Sequence, residues 1–375
     1  MRDSLPVQAK IVRESDDEVR DLLPSILPRM FRLALLTALC IASASAQPVP
    51  FDAEARRAIV DTVADRFLEA YSFPDVAAAV AADLRARADR GDYADLDEPA
   101  AFADSLSDHL AAVTRDRHVR VDYSAEPVTA AMLAHEPTGD ELAAHLADLR
   151  RVNYGVYKAE RLAGNVGYLD LRWFIPPELG EATEAVAAAM TVLAHTDALL
   201  VDLRQNRGGS PVMVQLLASY LLGPEPVRLT LIHYRAEDRT DVYETLPSVD
   251  GPWYGTERPV YVLAGPRTAS AAEEFAYDLQ ALGRVTVVGE TTYGAANPGG
   301  TVRLTDHFRV FVPTGVVANA VTGGNWEGVG VTPDLAVPSD DALRAAHRTA
   351  LERLLNAATD AGVRDELADA LRDAR

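Results

Sequence analysis

Cysteine and lysine are almost missing from this chain. One residue in 375, Cys40, is cysteine. No disulfide can therefore close within the chain, and no cysteine-based metal cluster can be built. The only lysines are Lys10 and Lys158; every other basic residue is arginine. Positive charge is scarce overall, with 36 Lys and Arg against 56 Asp and Glu, a net charge of -20 and a pI near 4.8. Binding to nucleic-acid phosphates requires a basic footprint, so that partner class is excluded. The acidic balance reads as a solvated surface and names no partner. Beyond the N-terminus no apolar run is long and uncharged enough to cross a bilayer.

The N-terminus reads as an export leader. Met30-Phe31-Arg32 gives a short positive start, Leu33 to Ala42 an apolar run, and Ala44-Ser45-Ala46 a small-x-small cleavage pattern before Gln47-Pro48. Cleavage is expected after Ala46. Ten or so apolar residues are too few to anchor the chain across a membrane, so no stable insertion is expected once the leader is removed. Leu39 before Cys40 stands where lipid attachment would want a small residue. Residues 1–29 are charged and precede a better start at Met30.

Residues 47–150 read as a helical domain. Apolar residues recur at three- and four-residue spacing over Ala53–Ala70, Pro74–Ala88 and Glu98–Thr114. A short strand is expected at 118–123 and an amphipathic helix at 139–150. From 151 to 375 strand and helix patterns alternate. Strands are expected at Val166–Leu171, Ala198–Leu203, Pro259–Ala264 and Val285–Val288, with β structure over 301–318. Helices are expected at Glu178–Leu193, Pro211–Leu222, Ala271–Leu282 and Asp340–Ala358. That alternation predicts an α/β domain with substantial parallel pairing.

Four segments offer chemistry. In Arg258–Ala276 an apolar strand ends at Gly265-Pro266 and a helix begins near Ser270. A serine at such a turn lies beside unpaired helical N–H groups that favour an oxyanion, although serine also caps helices without reacting. In Ala198–Ser210 a buried strand runs into Asn206-Arg207-Gly208-Gly209. Paired glycines let backbone N–H groups approach a ligand, or simply make a turn. In Gly323–Asp334 the carboxylate of Glu327 lies in a glycine-rich loop, where it can orient a histidine or merely face solvent. In Asp116-Arg117-His118-Val119 the histidine stands where helices give way to a strand and can serve as a general base. His109, His135, His145, His195, His233, His307 and His347 compete with it, and spacing does not choose among them.

The three C-terminal segments, in this order and separation, resemble the C-terminal processing (tail-specific) serine peptidases. The resemblance covers roughly Val152 to Val337. Asn153–Phe174 and Gly289–Gly300 resemble the subgroup of interphotoreceptor retinoid-binding protein modules. The resemblance implies a crotonase-like ββα spiral behind a small helical bundle, with Ser270 as nucleophile. It implies an oxyanion hole from the amides of Ala271 and Gly209 (or Gly208). Many family members pair the serine with a lysine in the G-E-T-T-Y-G-K-G region; here that region reads Gly294-Ala295-Ala296, and Lys158 lies in another motif. The arrangement left is similar to the catalytic core of tricorn protease, in which serine works with histidine and glutamate. His118 and Glu327 match those positions. No cofactor or metal is implied. Only about 30 residues separate the His118 segment from the catalytic region, too few for the PDZ domain usual in the family.

The expected function is that of an exported serine peptidase acting on peptides or proteins. The alternatives are a non-catalytic retinoid- or fatty-acid-binding module and a crotonase-like acyl-CoA enzyme. Export away from cytosolic CoA counts against the latter. Around the site, Glu273 and Glu274 read as complements of a helix dipole. Asp202 and Arg204 read as a loop-anchoring ion pair, and Glu290 as a support. Trp173 and Phe174 suit either a pocket wall or the core.

Overall fold

The structure is a computed structural model and describes residues 51–129, 133 and 139–374. The leader reading, Lys10, Cys40 and His135 lie outside the described residues. The chain opens with α1 (Ala53–Ala70), α2 (Pro74–Arg90) and α3 (Pro99–Thr114). The Asp52 carboxylate caps α1 by accepting from the Ala55 amide at 2.9 Å. Pro74 and Pro99 open α2 and α3, where a missing N–H costs nothing. Next come β1 (Arg120–Tyr123), α4 (Asp140–Arg151), β2 (Val156–Leu162), β3 (Val166–Leu171), α5 (Ala182–Leu193) and β4 (Ala198–Asp202). The chain continues through α6 (Pro211–Leu222), β5 (Arg228–Tyr234), β6 (Arg239–Glu244), β7 (Val260–Ala264), α7 (Ala271–Ala281) and β8 (Thr286–Gly289). It ends with β9 (Gly299–Arg303), β10 (Phe308–Pro313), β11 (Gly315–Asn319), β12 (Leu335–Ala336), α8 (Ala342–Ala357) and α9 (Ala361–Asp373).

These elements make a mixed α/β fold around a six-stranded sheet of order β12-β8-β7-β4-β3-β2. Only the β2–β3 pair is antiparallel. Every residue of β3, β4 and β7 is buried, as expected of central strands covered on both faces. One face packs on α5, α6 and α7; the other packs Val166, Leu200, Leu263 and Val288 against Ala346, Ala350 and Leu351 of α8. The three N-terminal helices share a core with Val121 of β1 and Phe308, Val310 and Val312 of β10. The antiparallel sheet β1-β10-β9 thus ties them to a segment almost 200 residues downstream. Pro50–Arg375 form one compact unit.

The parallel pairing decides where chemistry can occur. β4, β7 and β8 run side by side in the same direction, so the loops after Asp202, Ala264 and Gly289 leave from one edge. Gly289 has φ 133°, and a Cβ there would stand 2.0 Å from the carbonyl oxygen of Ala264. Only glycine lets the strand end so close to its neighbour.

Helix α7 enters the core, burying Ala272, Phe275, Ala276 and Leu279. It carries with it two carboxyls one turn apart, Glu274 and Asp278. Asp278 is 1% exposed; its Oδ1 accepts from Asn319 Nδ2 at 2.7 Å, while Oδ2 has no partner among the described residues. Burial pushes the Asp278 carboxyl up to about 7, and burial together with Asp278 pushes Glu274 up. The folded state therefore retains protons that the unfolded chain has already released above about pH 4. Stability from this pair falls as pH rises through the window from about 4 to 7, by at most about 1.4 kcal/mol per pH unit per retained proton. Urea unfolding at pH 5, 6 and 7 should show Asp278→Asn with a flatter pH slope than wild type; equal slopes would contradict the buried-acid assignment.

Candidate active site

Ser270 stands between β7 and α7 with φ 56° and ψ -124°, a conformation that costs a non-glycine residue about 1–3 kcal/mol. Several contacts impose it. The Ser270 amide donates to Glu273 Oε2 at 2.9 Å, the Ala269 amide to the Asn206 carbonyl at 3.2 Å, and Thr268 Oγ1 to the Leu203 carbonyl at 2.9 Å. The last two stitch the turn to the loop after β4. In that loop Gly208 has φ 106°, and a Cβ on it would lie 2.7 Å from Ser270 Cβ and 3.1 Å from the Ala271 nitrogen. Gly209 has φ 137°, and a Cβ there would lie 2.1 Å from the Phe174 carbonyl oxygen. Glycine at both positions is thus a steric requirement that brings the loop against the serine.

The two glycine amides differ. Gly208 N–H donates to Asn206 Oδ1 at 2.8 Å, and Asn206 Nδ2 in turn donates to the Leu171 carbonyl. The flanking backbone bonds, Phe174 N–H to the Gly208 carbonyl and Ser210 N–H to the Phe174 carbonyl, leave the Gly209 amide outside the ladder. Among the described residues neither Gly209 N–H nor Ala271 N–H has a partner. These are the donors open to an oxyanion.

His118 lies in the turn between α3 and β1, its side chain 18% exposed. Its ring packs 5.7 Å from that of Phe311 on β10. Asp116, His118 and Glu327 bring one ligand-type atom each within 4.8 Å of one another. Glu327 arrives on the turn after Trp326, whose buried indole donates to the Ala295 carbonyl at 2.9 Å. Glu327 Oε1 accepts from the Arg117 amide at 3.2 Å; Oε2 accepts from the amides of Ala296 at 2.6 Å and Asn297 at 3.1 Å. Burial, and then the Asp116 charge, hold the Glu327 carboxyl above its usual range despite those three donors. A His, Asp and Glu set can in principle ligate a divalent cation. Here the carboxylate oxygens already accept backbone amides, which suits a hydrogen-bonded role.

The segment between these groups joins them. Glu273, wholly buried, accepts from Thr292 Oγ1 at 2.5 Å and from the amides of Gly294 at 2.6 Å and Ala295 at 2.9 Å. Residues 292–297 are therefore pinned to the serine helix by one carboxylate and to the histidine turn by the other. Expected as a helix-dipole complement, Glu273 is instead an internal anchor, and Glu274 lies in the core. A sequence signal for Glu273 existed in its place three residues after Ser270, the spacing of a capping box.

Other expectations resolve plainly. Arg204 clasps Asp202 through Nε at 2.9 Å and a terminal nitrogen at 2.6 Å, as the loop-anchoring pair. Glu290 accepts from the amide and hydroxyl of Ser339, and so holds the segment before α8. Phe174 is buried beside Gly209, whereas Trp173 is 45% exposed. Lys158 pairs with Glu160 on edge strand β2, away from the serine loop. His109, His233, His307 and His347 bond respectively to Tyr93, Thr240, the Ser124 carbonyl and the Ala163 carbonyl.

Replacing Glu273 with glutamine points an N–H₂ at donors and leaves buried groups unpaired. Glu273→Gln should lower unfolding free energy by about 1–3 kcal/mol, read by urea denaturation. An unchanged midpoint would contradict the anchoring role.

Comparison with known proteins gives two family matches. The profile of peptidase family S41 matches residues 165–337, and that of the N-terminal domain of peptidase S41 in eukaryotic IRBP matches residues 42–152. A carboxyl-terminal-processing protease of Picosynechococcus sp. is 31% identical over 136 residues, 36% of this chain and 30% of that protein. A carboxy-terminal-processing protease of Bartonella bacilliformis is 25% identical over 181 residues, 47% of this chain and 40% of that protein. The chain thus spans less than half the length of these curated relatives. A solved structure from Parabacteroides merdae shares the fold at 21% identity, with a TM-score of 0.51 over 81% of this chain and 98% of that one. The chain belongs to peptidase family S41.

Proposed function

We propose that this protein is a serine peptidase that cleaves peptide bonds with Ser270 as nucleophile and His118 as general base. The observation that carries the reading is the 292–297 segment. It is bonded at one end to the helix that Ser270 opens and at the other to the Asp116, His118 and Glu327 cluster. Family membership and the names of the relatives support the same activity.

In this mechanism Ser270 Oγ attacks the scissile carbonyl carbon while His118 accepts the hydroxyl proton. The carbonyl π pair moves onto oxygen, and the oxyanion faces the amides of Gly209 and Ala271. Each such donor is typically worth about 3–4 kcal/mol of barrier. Collapse of the tetrahedral species breaks the C–N bond, and the imidazolium returns the proton to the leaving amine. Water, deprotonated by the same imidazole, then releases the acyl group as a carboxylic acid and restores the serine. Glu327 holds the 294–297 loop and adds negative charge near the imidazolium. No step calls for a lysine, consistent with alanines at 295 and 296.

We read the catalytic region as a crotonase-like spiral and the chain as an exported protein processed after Ala46. With only α4 and a short 3-10 turn, Asn153–Gly155, between β1 and β2 among the described residues, substrate delivery by an inserted PDZ domain is not part of this reading. Short peptides or flexible protein segments that reach the serine turn directly are the expected substrates.

A fluorophosphonate probe tests the reading, because it phosphonylates only an activated serine. At pH 7–8 wild type should label, Ser270→Ala should not, and His118→Ala should label about 10²–10⁴-fold more slowly. Folded wild type that fails to label between pH 7 and 9 would overturn the peptidase assignment.

A further inference from the structure

His118 faces two carboxylates, and they are not held alike. Glu327 has three backbone amides on its two oxygens, from Arg117, Ala296 and Asn297, which makes it a fastener of the loop. Asp116 is 1% exposed and bonded to the histidine's own backbone: its Oδ1 accepts the His118 amide at 2.9 Å. Its Oδ2 faces Asn297 Nδ2 at 3.4 Å, and its own amide donates to Thr114 Oγ1 at 3.2 Å. The same Oδ1 stands 3.6 Å from His118 Nδ1. That ring nitrogen is buried and has no hydrogen-bond partner among the described residues.

A neutral imidazole carries one donor and one acceptor nitrogen. With a lone pair on Nδ1, the nitrogen would face anionic oxygen across a buried gap. With a proton on Nδ1, it faces an acceptor just beyond hydrogen-bond length, a gap that apo sites commonly close when substrate binds. The second arrangement leaves the Nε2 lone pair free for a proton from serine. Resting on the peptidase reading, we propose that Asp116 is the positioning residue for His118, fixing the Nδ1–H tautomer and the ring plane, while Glu327 secures the loop alongside.

Other charged and titratable groups around the ring fit this assignment. The Tyr71 hydroxyl is pushed up by burial and by the charges of Asp116 and Glu327, so it stays neutral. The Arg117 guanidinium is drawn to the Tyr293 carbonyl and ring, which leaves the two carboxylates without a cation from that side chain. The imidazolium formed during turnover is then the cation they face. Phe311 limits ring rotation from the opposite element.

The test combines ring ¹⁵N NMR of the full mature chain with fluorophosphonate labelling. His118 signals are assigned by their loss in His118→Ala. Wild type at pH 8 should show Nδ1 protonated and Nε2 bare. Asp116→Asn should label about 10³–10⁴-fold more slowly, as expected when a tautomer is lost. It should also shift the acid limb of the labelling profile to lower pH and change the ring ¹⁵N pattern. Glu327→Gln should keep the wild-type tautomer. Nε2 protonation in wild type, which needs no variant to fold, would overturn the proposal. So would Asp116→Asn with wild-type rate and ring shifts, or loss of the tautomer in Glu327→Gln instead. Unlabelled wild type would sink the peptidase reading alone, because the tautomer is measured without the probe.

Discussion

Two carboxylates, the buried Glu273 and the half-buried Glu327, grip one loop from opposite ends and hold this site together. Glu273 takes the amides of Gly294 and Ala295, and Glu327 takes those of Ala296 and Asn297. Charge-assisted bonds to a buried acid are about twice as strong as neutral ones, and an unmet amide at this depth would cost about 1–3 kcal/mol. Loop 292–297 can therefore exist in this form only when both carboxylates are present. It makes the register between the serine helix and the histidine turn a consequence of backbone hydrogen bonding rather than of loop flexibility. Ala295 and Ala296 are buried within it, and Trp326 closes over it through the Ala295 carbonyl.

The rest of the fold delivers parts to this loop. Parallel strands β4, β7 and β8 end on one edge and send out the glycine pair, the serine turn and the 290–297 segment. The histidine comes from elsewhere, on a turn whose strand β1 adds to β10. Helices α1 to α3 pack on β1 and β10, so N-terminal and C-terminal parts of the sequence share a core. A site assembled this way depends on long-range contacts, and local unfolding of the helices would remove His118 while leaving the serine turn intact.

What the sequence made legible follows from local rules. The apolar run into Gly265-Pro266 placed Ser270 at a strand-to-helix turn, and paired glycines placed Gly208 and Gly209 in a tight approach, because both features act within a few residues. Hairpin strands β5 and β6, edge strand β2 and helix α9 escaped notice. Their exposed faces break the apolar pattern, as in β2, where Tyr157 and Lys158 point outward. Which of Gly208 and Gly209 keeps a free amide depended on the Asn206 side chain, and the anchoring by Glu273 depended on residues 19 to 22 positions away. No single-sequence pattern reports such distances. The lysine-free loop was the exception: Ala295 and Ala296 stand where the family resemblance would place a lysine, which is visible in the sequence alone.

The most direct check on the convergence of these segments is a crystal structure of the protein phosphonylated by a fluorophosphonate. The adduct should sit on Ser270, with one phosphonyl oxygen within about 2.7–3.1 Å of the Gly209 and Ala271 amides and the His118 ring within hydrogen-bond reach of the Ser270 oxygen. An adduct on another residue, or a phosphonyl oxygen turned away from those amides with His118 remote from the serine, would contradict the proposed site.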